Sequence, residues 1–438
     1  MDRALVKQVG ILASSQLMLN LGFSQMVPVM PMFAAQMGGN LGATGVGLIL
    51  SAPSAATLLL NVPLGRLCDV VGRKPLMWCG TALTAVGTTL TGFVGSIGPL
   101  IACRLLVGAG SASSMTGASA YISDISDRAP EHRAKIMGVH QAIVGSVWVV
   151  GPAVGGYLAE TYGYRNSFLI AGVCATICSL GYTQLPETLQ KRHAGKDGGA
   201  FTTATEALAP SDASGAHNSN TTHKDGRSAF RKHLKAWMSD VRTILASRNQ
   251  QALIALACEL PIRFSCFTTA VAIHASNVAG AGPKELGMLF TALALSQGVG
   301  MPIGSWLADR TSGAKKWMIV PGGLISSASF ATLAFATSQE QLLAAMALQG
   351  FCGGFYRPAI GAFTAEVTPP NMRGQAMSLQ RQAGSTLSLM GPITMGLIAD
   401  MTSCPTAICI GSAMMMVCHA SYAILATGDE ANSDTKKD

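Results

Sequence analysis

The chain has 438 residues, of which 49% are hydrophobic and only 12% are charged, and its mean hydropathy is +0.38. Soluble domains carry roughly 25% charged residues, so this composition argues against a water-soluble globular protein and indicates a protein of the lipid bilayer. The net charge of +8 is explained by basic residues gathered on one side of the membrane, and it does not imply a nucleic-acid partner.

Twelve apolar runs follow one another along the chain, and each is long enough to cross about 30 Å of hydrocarbon as a helix. The runs are continuously apolar, whereas the strands of a membrane barrel would alternate apolar and polar residues. The sequence therefore predicts an all-α polytopic membrane protein with twelve transmembrane helices. The predicted helices cover residues 8–32, 42–64, 76–96, 98–122, 136–159, 166–185, 251–280, 286–308, 317–337, 340–363, 375–399 and 404–427.

Basic residues outside the runs lie on alternate connections, and this pattern predicts the orientation of the chain. Positive residues stay on the cytoplasmic side during insertion. We therefore expect both termini and the central loop to face the cytoplasm or its equivalent, in a plasma membrane or an organelle membrane. The basic residues that follow this rule are Arg3, Lys7, Arg66, Arg73, Lys74, Arg128, Arg133, Lys135, Arg310, Lys315, Lys316 and Arg373.

A polar segment, residues 187–250, separates the sixth run from the seventh. It is rich in Ser, Thr, Gly, Ala and charged residues and lacks an apolar period, so we expect a largely disordered cytoplasmic linker. Residues 230–244 mix basic and apolar side chains at helical spacing, which suits either an interfacial helix on anionic lipid or a solvated run of charges. We also expect the tail, residues 429–438, to be disordered.

The parts of the chain before and after this linker match each other at one offset of 240 residues. Such a duplication predicts two pseudo-symmetric six-helix bundles, residues 1–186 and 251–428. Two similar bundles that rock around a central site are the architecture of alternating-access transporters. The matched pairs are Arg133 and Arg373, Gly151 and Gly391, Pro152 and Pro392, Gly156 and Gly396, Glu160 and Asp400, Leu67 and Leu307, and Asp69 and Asp309.

The sequence does not indicate enzyme chemistry. It holds no nucleotide-binding loop, dinucleotide fingerprint, nucleophile triad or metal-ligand spacing, and its eleven cysteines are scattered singly without a CxxC pair. We expect no enzymatic activity, no cofactor and no bound metal. The lack of an ATP-binding motif also argues against a primary pump.

The segment GRLCDVVGRKP, between the second and third runs, resembles the loop motif GxLxDxxGRR/K of the major facilitator superfamily, and the resemblance covers nearly the whole chain. It implies the major facilitator fold. It also implies that this loop gates the transporter, with its acid acting as a switchable charge partner for the opposite bundle. Leu67 is also in register with the motif, and the implied gating residues are Gly65, Asp69, Gly72, Arg73, Lys74 and, through the repeat, Asp309.

The segment GSVWVVGPAVGG, in the fifth run, resembles the motif gxxxGPxxGG of the family's twelve-helix drug:proton antiporters, the tetracycline- and multidrug-resistance-like branch. The resemblance implies a thin, kinked helix face that packs against its pseudo-symmetric partner and seals one gate. Residues 21–31 and 100–112 resemble the first-helix and fourth-helix motifs of the same exporters. The antiporter-motif residues are Gly145, Gly151, Pro152, Gly155 and Gly156.

Polar and charged side chains inside the runs are the candidate transport site, because a charge at membrane depth is costly unless it is paired or hydrated. Glu259 and Arg263 stand four residues apart on the seventh run, so Glu259 either carries a proton or forms a static ion pair with Arg263. The sequence leaves both roles open. The candidate cavity and coupling residues are Gln25, Arg104, Glu259, Arg263, Arg357 and Arg381.

Four arginines against one glutamate make the expected cavity positive, which favours an anionic, zwitterionic or neutral small organic substrate. Exporters of cationic drugs usually carry an acid in the first helix, where this chain has Asn20 and Gln25. We expect a monomeric secondary active transporter that exchanges its substrate for protons. The alternatives are a proton-independent uniporter or organic anion exchanger, and a transport-inactive scaffold or sensor that signals through residues 187–250.

Overall fold

The computed structural model describes residues 3–38, 42–188, 242, 244–310, 315–368 and 373–426. Every regular element within these ranges is a helix. Most of the predicted linker, almost all of residues 230–244 and the whole predicted tail lie outside the described residues.

The first bundle contains helices α1 to α6. Helix α1 is divided at Gln25, and a long helix that follows α4 is divided at Gly163, whose φ of 83° breaks the helical backbone into α5 and α6. A short 3₁₀ turn, Pro130–His132, precedes α5. The bounds are Arg3–Ser24 and Met26–Gly38 for α1, Gly42–Val71 for α2, Arg73–Thr91 for α3, Ile97–Asp127 for α4 and Arg133–Thr183 for α5 with α6.

The second bundle contains helices α7 to α12. Helix α7 consists of Arg248–Cys266, a π-helical turn Phe267–Val271 and Ala272–Ala279, and α9 ends in the 3₁₀ turn Thr332–Phe335. The remaining bounds are Pro283–Arg310 for α8, Lys315–Ala331 for the α-helical part of α9, Gln339–Val367 for α10, Arg373–Met401 for α11 and Cys404–Leu425 for α12.

The predicted fold class, an all-α polytopic membrane protein, is confirmed. Each of the twelve predicted runs coincides with one of the helices α1 to α12. Among the described residues, eight helical stretches meet the length and hydropathy required of a membrane span. One of these, Ile136–Thr183, is 48 residues long and contains the kink at Gly163, so it corresponds to two predicted runs.

Small residues set the close packing inside each bundle. Gly80 of α3 lies against Gly110 and Ser113 of α4, and Gly108 of α4 lies against Pro53 of α2, so tightly that a Cβ at either glycine would overlap its neighbour. Within the second bundle, α8 packs on α10, while α7 packs on α11 and α12. Glycine is useful in membrane helices for this reason, because it lets two backbones approach closely.

Two helix pairs, α2 with α11 and α5 with α8, join the bundles to each other. In the first pair, Gly47 meets Pro392 and Gly396 meets Ala43. In the second pair, the contacts are Gly287 with Pro152 and Gly156 with Pro283. The repeat offset of 240 residues relates the two sets of contacts. Gly47 corresponds to Gly287, Pro392 to Pro152, Gly396 to Gly156 and Ala43 to Pro283. The two interfaces are therefore pseudo-symmetric copies.

All of these contacts lie towards one side of the membrane, which we call the far side; it holds the α1–α2, α7–α8 and α11–α12 connections. The opposite side, the near side, holds the α2–α3 loop and the linker. In the near half of α5, no atom of the described residues of another helix lies within 4 Å of the Cβ positions of Gly138 and Gly145. The bundles are therefore sealed together at the far side and separated at the near side.

An apolar cluster fills the far-side seal. Phe267 of the π-helical turn stacks edge-on against Phe330, with ring centroids 4.9 Å apart, and it also touches Phe290 of α8. The buried cluster around these rings includes Val27 of α1 and Ala43 of α2, which belong to the other bundle. Because α7 supplies the π-helical turn, this helix takes part directly in the seal.

A carboxylate links the bundles at the outer edge of this seal. Asp400, just beyond the eleventh apolar run, accepts hydrogen bonds from the backbone N–H groups of Ala43 (2.7 Å) and Thr44 (2.8 Å) and from the Thr44 hydroxyl (2.6 Å). Partial burial opposes ionisation, but these hydrogen bonds outweigh it and lower the pKa of Asp400 below its usual range. The negative charge thus caps the positive end of α2 from the opposite bundle.

We expect Asp400→Asn to speed hydrogen exchange of the Ala43 and Thr44 amides, because losing a carboxylate at a helix N-terminus costs about 1 kcal/mol. Peptide-level mass spectrometry measures the exchange. Glu160→Gln is the matched control, since Glu160 is the repeat counterpart of Asp400 but accepts no hydrogen bond within the described residues. The lowered pKa keeps Asp400 ionised from about pH 5 to about pH 8, so the difference should persist over this range. Equal exchange in wild type and Asp400→Asn would contradict the contact.

Candidate functional site

A groove between α7 and α11 opens into the space that separates the bundles. Its volume is about 380 Å³, and its wall includes Leu260 and Pro261 of α7 with Gln380 and Arg381 of α11. Arg381 is exposed and has no ion-pair partner within the described residues. The near-side opening therefore leads to a wall that carries a free cation.

A buried ion pair lies on the other face of α7, inside the second bundle. The guanidinium of Arg263 contacts the carboxylate of Glu259, and both residues are at most 4% exposed. The same guanidinium donates to the hydroxyls of Ser326 at 3.2 Å and Tyr356 at 3.1 Å. Helices α7, α9 and α10 thus meet around a single arginine.

Two further side chains complete this polar network. In the amide orientation that satisfies both groups, Gln349 of α10 accepts hydrogen bonds from Nε and Nη1 of Arg263. His419 of α12 packs edge-on against Tyr356, with ring centroids 5.2 Å apart. Neither ring nitrogen of His419 has a hydrogen-bond partner within the described residues. The network therefore contains the carboxylate of Glu259, the guanidinium of Arg263, the phenol of Tyr356 and the imidazole of His419, and all four groups are buried.

The position of the network on α7 connects it to the far-side seal. Pro261 lies between Glu259 and Arg263, and the π-helical turn begins at Phe267, one turn after Arg263. A proline inside a helix removes a backbone hydrogen bond, and π-helical turns are frequent at functional sites. The ion pair and the aromatic residue that enters the seal therefore lie about one turn apart on the same helix.

The structure does not bring the six candidate cavity residues together. Gln25 is 1% exposed at the break in α1, where its amide nitrogen has no partner among the described residues. Arg104 is buried in the first bundle and donates to Thr91 at the end of α3. Arg357 is half-buried. Only the exposed Arg381 faces the groove. Arg104 points into the interior of the first bundle, and the Glu259–Arg263 pair, with Arg357 close enough to interact electrostatically with Glu259, lies in the second bundle.

The antiporter motif of α5 contacts two helices at once. Gly151 and Gly155 lie against Ser24 and Gln25 of α1, and the next contacts of the motif, through Pro152 and Gly156, are with α8. The expected partner of α5 was its repeat counterpart, α11, and this expectation is wrong. A pseudo-two-fold axis that maps α5 onto α11 also maps α8 onto α2. Helix α5 therefore pairs with α8, and its repeat counterpart α11 pairs with α2.

The α2–α3 loop is tied to its own bundle. Gly72 has a φ of 115°, and directly after it the backbone N–H groups of Arg73 and Lys74 donate to the carboxylate of Glu187, each at 3.0 Å. Asp69 forms a 3.5 Å ion pair with Arg73, and its side chain is 73% exposed. In this near-side-open state, the acid of the gating motif does not reach the second bundle within the described residues.

Some members of the gating set make no contact that the structure describes. Gly65 has no atom of another helix near its Cβ position. Asp309 lies in α8 near its near-side end, but its side chain is outside the described part of the structure. Gly65 and Asp309 therefore remain predictions from the motif and the repeat.

Several polar partners were missed by the sequence reasoning. Asp124 of α4 accepts from Arg73 Nε at 3.0 Å and from Thr188 at 2.7 Å, and Glu187 caps α3. Asp124, Glu187 and their partners are end-of-helix residues whose pairing depends on the tertiary fold. The acid in the segment LPET, residues 185–188, was a usable signal, because a carboxylate just after an apolar run can reach a helix N-terminus across a short loop.

Two six-helix bundles, sealed at one side and separated at the other, define a membrane transporter fold. The family model of the Major Facilitator Superfamily matches residues 12–258 and 253–438, so the chain belongs to the Major Facilitator Superfamily. Family and fold point to a transporter and away from an enzyme.

Similar proteins support the same conclusion. An uncharacterised MFS-type transporter of Methanocaldococcus jannaschii is 31% identical over 166 residues, 37% of this chain and 41% of the relative. The quinolone resistance protein NorA of Staphylococcus aureus is 29% identical over 167 residues, 38% of this chain and 42% of NorA. The matched stretch thus spans about two fifths of each relative. The chain resembles the drug-efflux branch of its family.

The fold is also similar to a solved structure of a bacterial homologue of the human lysosomal transporter Spinster, in an inward-facing and unoccupied conformation. The TM-score is 0.68 at 15% identity, and the match covers 97% of this chain and 96% of that chain. At this identity, the likeness shows the fold alone.

We expect Gly155→Ala to destabilise the protein by about 1–3 kcal/mol, because the added Cβ would overlap the backbone carbonyl of Gln25. Gly145→Ala is the matched control from the same motif, since open space surrounds its Cβ position. Thermal unfolding of both purified variants, followed by tryptophan fluorescence, measures the effect. A Gly155→Ala protein as stable as Gly145→Ala would show that the α1–α5 contact is not tight.

We expect Arg263→Gln to lower stability by about 3–5 kcal/mol, because it leaves the charge of Glu259 buried without a partner. The double variant Glu259→Gln with Arg263→Gln should recover most of the loss, since a neutral pair of amides can replace a buried ion pair. Denaturation midpoints of the three proteins in one detergent provide the comparison. If the double variant is less stable than Arg263→Gln, the network does not depend on charge pairing.

Proposed function

We propose that this protein is a secondary active transporter that moves a small organic solute by alternating access and exchanges it for protons. The observation that carries the proposal is the buried Glu259–Arg263 pair on α7, the helix that also enters the far-side seal. Proton exchange at this pair would be linked to the opening and closing of the path across the membrane.

Alternating access is supported by the asymmetry of the bundle contacts. The far-side seal depends on the α2–α11 and α5–α8 pairs, whose repeat-related contacts allow one bundle to tilt against the other. The Thr291 hydroxyl donates across the α5–α8 interface to the carbonyl of Val149 at 3.0 Å, near the inner limit of the contact. This bond and the hydrogen bonds that Asp400 accepts must break when the bundles separate at the far side.

Proton coupling is supported by the position of Glu259. Within the described residues, it is the one carboxylate that lies more than two turns from a helix end. Contact with Arg263 favours the ionised acid in the near-side-open state. If the far-side-open state separates the pair, Glu259 would take up a proton there and release it after the transition, which allows a proton gradient to drive the cycle.

We propose a direction of transport from the orientation of the chain together with its resemblance to efflux proteins. Positive-inside topology places the near side in the cytoplasm or its equivalent, with both termini. The structure is then inward-open, and export, or uptake into an organelle, is the proposed direction. The name of NorA, a quinolone resistance protein, agrees with export of organic molecules. We propose a monomer in the bilayer as the transporting unit.

The substrate class is anionic, zwitterionic or neutral. Glu259 is neutralised by Arg263, whereas Arg357 and Arg381 have no ion-pair partner within the described residues. The polar part of the solute path is therefore positive, which attracts anions and repels organic cations.

A proton-independent exchanger is the second candidate. The direct contact between Arg263 and Glu259, supported by Ser326, Tyr356 and Gln349, is the observation in its favour. A pair with this many partners is also suited to a static structural role. Proton flux measurements separate the two candidates.

In proteoliposomes with a pH-sensitive dye inside, we expect wild-type protein to move protons when a substrate is added from a panel of small carboxylates, amino acids and amines. Glu259→Gln should abolish this proton flux, because the acid that binds the proton is gone. It should retain exchange of labelled for unlabelled substrate, which requires alternating access but no net proton movement.

The double variant Glu259→Gln with Arg263→Gln is the control for misfolding, since it removes the acid without leaving a buried cation. It should also exchange substrate without proton flux. Substrate movement by wild type that ignores an imposed pH gradient would overturn antiport and support the exchanger.

A further inference from the structure

We infer that the groove between α7 and α11 binds the carboxylate of an amphipathic organic anion, with Arg381 and Gln380 as its anchors and Leu260, Pro261 and Met377 against its apolar body. This inference names the substrate class for the transporter proposed above and rests on that function. It assigns recognition to the second bundle alone.

The polar lining of the groove offers donors without acceptors. Arg381 is exposed and unpaired within the described residues. The amide nitrogen of Gln380 is buried and has no hydrogen-bond partner there. A donor left unpaired in a buried position is energetically unfavourable, so a ligand acceptor that reaches it is favoured. Two adjacent donors of this kind suit a carboxylate, which accepts two hydrogen bonds from an arginine.

The apolar lining selects the rest of the ligand. Leu260 and Met377 are each about half exposed, at 51% and 52%, and Pro261 completes the wall. None of the described residues that line the groove carries a carboxylate, so an organic cation would find no counter-ion. A volume of about 380 Å³ lies near the lower end of the range for small-molecule sites, roughly 300–1,000 Å³.

Helical spacing shows that the groove faces the other bundle and not the interior of its own. On α11, Arg381 precedes Pro392 by three turns on one face, and Pro392 contacts Gly47 of α2. On α7, Leu260 and Pro261 line the groove, and Leu260 is 51% exposed, whereas Glu259 and Arg263 are buried inside the second bundle. The α11 face therefore continues from the far-side seal into the open near half.

The groove and the ion pair lie on the same turn of α7. Leu260 and Pro261 line the groove, while Glu259 and Arg263 point into the bundle. A ligand that presses on this turn therefore acts on the segment that holds the proposed proton site. Ligand binding and proton binding are linked through one helical turn without sharing an atom.

The test uses 2-naphthoate, a carboxylate on an apolar ring system, and the purified full-length protein in phosphatidylcholine nanodiscs. Equilibrium dialysis measures its affinity. We expect saturable binding to wild type that is at least tenfold weaker for the neutral 2-naphthalenemethanol. Arg381→Gln should weaken naphthoate binding at least tenfold, and Arg381→Lys should restore part of the loss, because lysine keeps the charge but not the paired donors.

Arg165→Gln is the matched control. Arg165 stacks on the Phe93 ring, 4.2 Å from its centroid, on the far side, so the variant loses the same charge without touching the groove. It should bind naphthoate as wild type does. Equal affinities of wild type and Arg381→Gln, or no saturable binding to wild type, would overturn the inference.

A second arm separates a free solute from a lipid headgroup. Replacing part of the phosphatidylcholine with phosphatidylglycerol should leave naphthoate affinity unchanged. If the anionic lipid abolishes naphthoate binding, the groove is a lipid headgroup site and the inference fails. Failure of the proposed function is distinguishable, because naphthoate binding with no substrate-dependent proton flux leaves the groove assignment in place and removes only the coupling.

Discussion

The arrangement of the second bundle depends on one constraint: a charged side chain in hydrocarbon is energetically unfavourable unless it is paired. The buried Glu259–Arg263 pair satisfies this constraint. Neither residue could remain buried alone, so the second bundle must bring Ser326, Gln349 and Tyr356 to the same guanidinium. This requirement fixes how α7, α9 and α10 rotate about their axes. It also places Pro261, on the opposite face of α7, towards the groove with α11.

Helix α7 links the features that transport requires. Its first part carries the ion pair and one wall of the groove, and its π-helical turn enters the aromatic cluster of the far-side seal. The seal repeats one set of glycine contacts on both sides of the pseudo-two-fold axis. The polar contacts differ: Asp400 caps α2, whereas Glu285 of α8 accepts from the N–H of Gly282 in the equivalent place, and the Thr291–Val149 hydrogen bond crosses the α5–α8 interface. The far side is thus closed by two similar contacts with asymmetric polar bonds.

The number of helices, the repeat and the glycines of the seal could be predicted from the sequence, because run length, offset and small residues are local features. Apart from Glu259, which the spacing of four residues predicts, the partners of Arg263 could not. Tyr356 and His419 lie on membrane helices that are apolar on most sides, so the pattern does not show which face turns inwards. The same limit explains why the sequence places Arg104 and Glu259 in one candidate site, although each side chain turns into its own bundle. To predict that α5 pairs with α8, one must know the direction of the pseudo-two-fold axis, and no stretch of sequence encodes that direction.

The central claim, that the ionisation of Glu259 governs the far-side seal, is tested most directly by a distance. Leu48 of α2 and Leu397 of α11 are both partly exposed, and spin labels at these two positions measure the distance across the seal in liposomes. The pH is lowered from about 8 to about 5, a range in which Asp400 stays ionised. The account predicts that a longer distance becomes populated in wild type on acidification. It also predicts no such response in the double variant Glu259→Gln with Arg263→Gln. An unchanged wild-type distance, or an equal response in the double variant, would contradict the claim.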